Sequence, residues 1–321
     1  MHSFETLSKE FTKSFSVSHF PEQPESLYQP NNYFLSLGGK RIRPVLCLMG
    51  NELFDEIHPD AYKVANAIEL FHNFTLIHDD IMDRAPLRRG MPTVHEKFGE
   101  STALLAGDVM LVAAYEYLNK INTTFLRPIL HLFNKTAREV CEGQQLDMDF
   151  EKKETVVLDE YIRMIELKTS VLLAASLRMG AILGGTGEGN QKHLYEFGRN
   201  LGIAFQIQDD YLDAFGNPEK FGKQVGGDIL ANKKTFLLIH ALEVAPAATR
   251  RSLQQLMQTN PPDKINSVLN IFRECGVDSW AYGLKEKYIG SAFQHLEDTA
   301  VLNERKYALK ELAHFLVQRE S

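Results

Sequence analysis

Residues 61–83 read AYKVANAIELFHNFTLIHDDIMD, and the spacing of their apolar side chains decides what the surrounding chain can be. Ala61, Val64, Ala65, Ile68 and Phe71 recur at three- and four-residue steps, which is the period of an α-helix. Polar residues are few until the end, so the segment predicts a helix buried on most sides. Residues 195–213 follow the same pattern and also end in a cluster of aspartates. Elsewhere the helical step persists, strand-like alternation is scarce, and breaks fall at 86–92, 184–190, 216–227 and 259–263. None of these breaks resembles a long interdomain linker. The expectation is an all-α chain, one domain over residues 1–321, with two central helices.

With 44% hydrophobic and 24% charged residues, the chain can fill a sizeable core. Its net charge of -7 disfavours nucleic acid as a partner, because such binders need a basic surface to displace counterions from phosphates. Cys47, Cys141 and Cys275 are scattered without CxxC pairing, which argues against a disulfide framework or a zinc site and fits a reducing cytoplasm. The first thirty residues lack the apolar core of a signal peptide. The longest apolar stretch, 171–183, is interrupted by Ser176 and Arg178 and falls short of the roughly 20 residues a membrane span requires. A soluble cytoplasmic protein with no membrane span is expected.

Both central helices end in DDxxD: Asp79, Asp80 and Asp83 in HDDIMD, and Asp209, Asp210 and Asp213 in QDDYLD. Positions four apart share a helix face, so Asp79 with Asp83, and Asp209 with Asp213, can each grip one ion. Pro86 closes the first helix and Gly216-Asn217-Pro218 the second. Carboxylates therefore gather at helix C-termini, where the macrodipole disfavours each by about 0.3–1 kcal/mol. A cation must compensate. Magnesium suits the role, since one or two carboxylates commonly hold it while water and substrate phosphates complete its octahedron. Two solvated acidic helix ends are the plainer alternative, and the repetition of the motif after two apolar helices argues against it. A calcium loop would need alternating oxygen ligands and a central glycine, which are missing.

Three basic groups lie in or beside turns: Lys40, Arg41 and Arg43 in GGKRIRP, Arg88 and Arg89 in LRRG, and Lys223 with Lys233 around FGKQVGGD and NKKT. Turn amides and long cationic side chains can converge on an anion, and arginine binds phosphate oxygens in pairs. Taken singly, each group also reads as a solvated basic turn. Arg88 and Arg89 follow Asp83 by five and six residues and Lys223 follows Asp213 by ten, which favours a diphosphate pocket. His72 stands two helical turns before Asp79 on the same face, as a core histidine or as a diphosphate donor. Lys168 and Thr169 fall inside the apolar pattern of 161–183. A lysine there needs an anion or snorkels to water, and Thr169 can bond back to the carbonyl of Ile165 and bend the helix. Gln206, three residues before Asp209, faces the same way with an oxygen able to stabilise a cation.

Together and in order, these stretches resemble the trans-isoprenyl diphosphate synthases, also called polyprenyl synthetases. GGKRIRP, HDDIMD with RRG, EGQQLD, the Lys168-Thr169 pair, FQIQDDYLD and GKQVGGD carry the resemblance over residues 38–235. It implies a bundle or barrel of antiparallel helices around a deep central cavity, usually in a homodimer. It implies isopentenyl diphosphate and an allylic diphosphate (dimethylallyl, geranyl or farnesyl) as substrates. By position, Asp79 and Asp83 would bind two magnesium ions (Mg2+) and Asp209 a third. Arg88, Lys168, Lys223 and Lys233 would hold the allylic diphosphate, and Lys40, Arg43, His72 and Arg89 the isopentenyl diphosphate. Thr169 and Gln206 would shield the carbocation, which makes Lys168, Thr169, Gln206 and Lys233 the expected catalytic set. Residues 142–147 would line the site, with Gln144 and Asp147 just behind it.

In the resembling family, residues one turn before the first aspartate motif form a floor under the growing tail. Here they are Phe74 and Thr75, with Phe74 about 7–8 Å deeper than Asp79 along the helix. One aromatic there and no insertion in the motif resemble the geranylgeranyl-producing pattern more than the farnesyl one, while ordinary core packing of Phe74 is the alternative. Two rival functions remain. A terpene cyclase would share the first clamp but would not need Lys40, Arg43 and Arg89. A non-catalytic subunit of a heteromeric synthase would be expected to have lost carboxylates.

Overall fold

The computed structural model describes residues 1–16, 18–216 and 225–317, and helices make up nearly all of its regular structure. The all-α expectation is borne out. Contacts divide the chain into two compact units, Met1–Lys135, Ala175–Leu194 and Ala300–Leu309 in the first, and Thr136–Ala174, Tyr195–Thr299 and Lys310–Ser321 in the second. The helices α7 (Thr123–Lys152), α9 (Val171–Leu183), α10 (Glu188–Phe215) and α16 (Asn303–Val317) contribute residues to both.

The first unit contains α1 (Phe4–Phe15), α2 (Glu25–Ser36), α3 (Ile42–Glu52), α4 (Pro59–Met82), α5 (Val94–Phe98) and α6 (Glu100–Leu118). Helix α4 is the segment that dominates the sequence. Pro59 opens it, a position where the missing N–H costs nothing, and the His58 ring accepts the Asp60 N–H at 3.1 Å. At the other end the Asp83 N–H closes on the Asp79 carbonyl at 2.8 Å. Between them Val64, Ala65, Ile68, Leu70 and Phe71 are buried, each large side chain contributing about 1.5–3 kcal/mol. Helix α4 packs chiefly on α6 and α3, which fits its near-uniform burial.

The break expected at 86–92 is closed by a short ladder, β1 (Leu87–Arg88) and β2 (Met91–Pro92), with Leu87 opposite Pro92 and Arg88 opposite Met91. Arg89 and Gly90 at its tip have φ of 54° and 77°, the left-handed pair that suits the twist of a two-residue hairpin. Holding an arginine in that region costs about 1–2 kcal/mol, and such strain concentrates at functional positions.

The second unit contains α8 (Leu158–Ile165), α11 (Gly227–Leu230), α12 (Phe236–Val244), α13 (Ala247–Gln258), α14 (Lys264–Glu274) and α15 (Val277–Glu297). Its core joins Tyr161, Ile203, Ile207, Phe236, Leu253 and Phe272. Between α8 and α9 the chain makes a π-helical turn, Glu166–Ser170. The π turn takes in Thr169, where a back-bond is expected, but the hydroxyl that reaches the Ile165 carbonyl belongs to Ser170, at 3.4 Å. The wider π turn shifts the register by one residue. That shift leaves the Thr169 hydroxyl available for another partner. Among the described residues, no helix is long and apolar enough to cross a membrane.

Candidate active site

In the first unit the three carboxylates of HDDIMD have separate environments. Asp79 is half-buried, Asp83 is exposed at the helix end, and Asp80 is buried. Arg88 closes on Asp80, its Nε 2.9 and 2.8 Å from the two carboxylate oxygens and its Nη2 2.8 Å from Oδ1. The middle aspartate is thus neutralised by Arg88, while Asp79 and Asp83, one turn apart, are hard oxygen donors of the kind magnesium takes. Arg88, expected on the allylic diphosphate, is held by this ion pair.

Around them lies an unusual accumulation of positive charge. Arg41, the left-handed residue before α3, turns inward to a buried ion pair with Glu69 and lies 4.9 Å above the Phe15 ring. Arg43 instead donates from Nη1 to His72 Nε2 at 3.1 Å, and its buried Nε has no partner among the described residues. Burial pulls the Arg43 pKa down to about 10, with Glu69 opposing. Burial first, and then Arg43, Arg89, Arg88 and Arg41, hold the His72 imidazole well below its usual range. His72 is therefore neutral, accepts at Nε2 and carries its proton on Nδ1, so it remains a donor. The Arg89 guanidinium rests against Gly39, so closely that a Cβ on Gly39 would lie 3.1 Å from Nη2. Its pKa is lowered by burial and by Arg41 and Arg88. Cations that depress one another in this way await an anion. Lys40 is exposed on the same loop.

In the second unit the middle aspartate is again turned inward. Asp210 is buried and accepts hydrogen bonds from the Tyr161 hydroxyl and, at 2.8 Å, from Gln206 Nε2. Burial, then repulsion from Asp228, push its pKa up to about 7. Asp213 gives one oxygen to the Asp228 N–H at 2.9 Å, so it anchors α11 and does not stand free as the spacing alone suggested. Asp209 is half-buried between them.

Thr169 and Gln206, expected together, do meet: the Thr169 hydroxyl donates to Gln206 Oε1 at 3.3 Å. Since Asp210 takes the Gln206 amide nitrogen, the oxygen is oriented toward Thr169. Lys168 pairs with Asp147 at 2.6 Å, and Gly143 lets α7 approach so tightly that a Cβ would lie 2.3 Å from the Lys168 nitrogen. Both ends of the buried Gln144 carboxamide lack a partner among the described residues. Lys233 lies 3.4 Å from Asp228. Burial works to lower its pKa, but Asp228, Asp147 and Asp210 outweigh that and hold it raised. A small cleft is lined by Asp210, Asp213, Asp228, Lys233, Thr235 and Phe272. Lys223 lies outside the described residues. Sequence reasoning assigned no role to Tyr161 or Asp228. Tyr161 reads as one more apolar position of its helix, and Asp228 as the end of a glycine turn.

Residues 24–274 match the profile of a family described as Polyprenyl synthetase. The chain belongs to the polyprenyl synthetase family. It is 39% identical over 304 residues to the geranylgeranyl diphosphate synthase of Methanosarcina mazei, covering 93% of this chain and 91% of that one. A crystal structure of a geranylgeranyl pyrophosphate synthase superposes with a TM-score of 0.95 at 41% identity, over 100% of both chains. The polyprenyl synthase of Caulobacter crescentus CB15, crystallised with calcium and isoprenyl diphosphate, superposes at 0.88 with 25% identity, over 99% and 97% of the chains. This polyprenyl synthetase is a prenyltransferase with the all-α isoprenoid synthase fold, as the family resemblance of its motifs implied.

Proposed function

We propose that the enzyme condenses isopentenyl diphosphate with an allylic diphosphate and releases geranylgeranyl diphosphate, a twenty-carbon product, with magnesium as its metal. The crowding of Arg41, Arg43, Arg88 and Arg89 around His72, with Asp80 of the first motif within reach of Arg89, carries this reading, because a second diphosphate site is what a condensation needs and a cyclase does not. Residues 24–274 run through both compact units, which supports one functional domain over 1–321.

Asp79, Asp83 and Asp209 are the proposed magnesium ligands. Bound magnesium supplies charge stabilisation for a departing diphosphate. Lys168 and Lys233, with Arg88 and Lys223, hold that same diphosphate, and their charge counts for more as the C–O bond breaks and its electron pair moves onto the leaving oxygen. Thr169 Oγ1 and Gln206 Oε1 face the resulting allylic cation, the latter locked by Asp210 so that no reorganisation is needed. Lys40, Arg43, Arg89 and the Nδ1–H of His72 hold isopentenyl diphosphate while its double bond attacks the cation. A proton then leaves to the released diphosphate, and the product is again allylic. No protein nucleophile is required.

Phe74 sits between Phe71, 5.7 Å away, and His78, 4.8 Å away, and the Thr75 hydroxyl is tied to the His72 carbonyl at 2.8 Å. Phe74 is the proposed floor that limits tail length. The exposed Leu104, Leu105, Val112 and Tyr115 of α6 suit contact with a second copy, so a homodimer in the cytoplasm is part of the proposal. Incubation with magnesium, labelled isopentenyl diphosphate and dimethylallyl, geranyl or farnesyl diphosphate tests it. A linear twenty-carbon diphosphate is expected. A cyclic hydrocarbon would indicate a cyclase, and no turnover with any primer would indicate a non-catalytic subunit.

A further inference from the structure

Lys264 is 1% exposed, which is rare for lysine. Its ammonium donates to the side-chain oxygens of Asn232 and Asn260, and no carboxylate of the described residues pairs with it. It is also the first residue of α14, where the helix dipole repels a cation. A buried charge so poorly compensated destabilises the fold unless it holds something in place.

What it holds is the turn before Lys233. Asn232 has φ of 56° and ends α11 with its N–H on the Ile229 carbonyl at 3.2 Å, while the Lys233 N–H returns to the Asp228 carbonyl at 2.9 Å. The next residue of α14, Ile265, braces the other end of α11, where a Cβ on Gly226 would lie 2.8 Å from it. The start of α14 therefore clamps both ends of a four-residue helix that is too short to hold its own shape. That helix carries Asp228, is tied to Asp213, and presents Lys233.

The geometry points to Lys264 as a positioning residue that acts through Asn232 to fix the Lys233 turn against the departing diphosphate. The inference rests on the proposed prenyl transfer, in which Lys233 stabilises the leaving group. Its signature is a loss confined to the chemical step, because the isopentenyl diphosphate residues lie on the loop before α3, on α3, on α4 and on the β1–β2 hairpin.

Lys264→Met, Asn232→Gly and the double variant of the full chain, assayed with magnesium, isopentenyl diphosphate and farnesyl diphosphate, provide the test. Asn232→Gly keeps the left-handed backbone and removes the amide. Each single change is expected to lower kcat by about tenfold or more with KM for isopentenyl diphosphate nearly constant, and the double variant to be no worse than the lower single. Additive losses, or unchanged kcat in a Lys264→Met protein with native circular dichroism, would overturn the inference. Should Lys264→Met not fold, unchanged kcat in Asn232→Gly overturns it and a tenfold loss there supports it. An inactive wild-type chain would instead defeat the proposed function itself.

Discussion

Arg88 and Asp80 form a forked ion pair, Nε lying 2.9 and 2.8 Å from the two carboxylate oxygens, and this pair sets Asp80 apart from Asp79 and Asp83, the proposed magnesium ligands. Asp210 has the same inward role in the second motif, held by Tyr161 and Gln206. Adjacent aspartates on one helix thus do different work.

Asp79→Asn and Asp80→Asn should therefore fail in different ways. The first removes a metal ligand from a half-buried position and is expected to cut kcat about a hundredfold or more with little change in unfolding midpoint. The second leaves the Arg88 charge without its counterion and is expected to cost about 1–3 kcal/mol in urea unfolding without magnesium. Equal stability losses would refute the division.

Glu69 and Arg41 are both nearly inaccessible, with side chains 4% and 7% exposed. Glu69→Gln leaves the Arg41 guanidinium buried without its counter-charge, and the expected cost is about 3–5 kcal/mol in the same unfolding assay. A loss below 1 kcal/mol would show that water or a rearranged carboxylate reaches Arg41.

His72 gives a pH dependence with a definite sign. Its pKa is lowered in the folded chain, by burial and then by Arg43, from an unfolded value near 6.5. The unfolded chain therefore binds a proton that the folded one refuses, so this contribution is present above about pH 6.5 and is lost as pH falls toward the folded value. Urea midpoints measured from pH 8 downward should show the decline. His72→Gln, which keeps an oxygen acceptor for Arg43 without titrating, should flatten it.

Phe74→Ala should lengthen the product by at least one five-carbon unit while leaving the initial condensation rate within about threefold, since the change lies a turn or more from the aspartates. Radio-labelled products resolved by chain length provide the measurement, and an unaltered distribution removes Phe74 from control of length.

Much of the site was legible because its chemistry is written in local spacing. The helical step across residues 61–83 and the two DDxxD repeats each follow from residues close enough to share a turn or a motif, whereas Thr169 and Gln206 stand 37 apart and were paired through the family resemblance. Arg41 was not separable from Arg43 in that way. Their types are identical and they stand two apart, but Arg41 meets Glu69 inside the fold while Arg43 meets His72. The back-bond to the Ile165 carbonyl was assigned to Thr169 but belongs to Ser170, because a π turn and an α turn differ by one residue that no composition signal reveals.

By itself, the sequence determined the helical class and the spacing that puts carboxylates on one helix face, since these depend on periodicity and on residue type. Only the tertiary structure decided how the middle aspartates are held. Asp80 is silenced by an arginine 8 residues away and Asp210 by a tyrosine 49 residues away, and Lys264 reaches its asparagine across 32. Burial of a charge is set by what the folded chain brings around it, and helical periodicity carries no information about such distant partners.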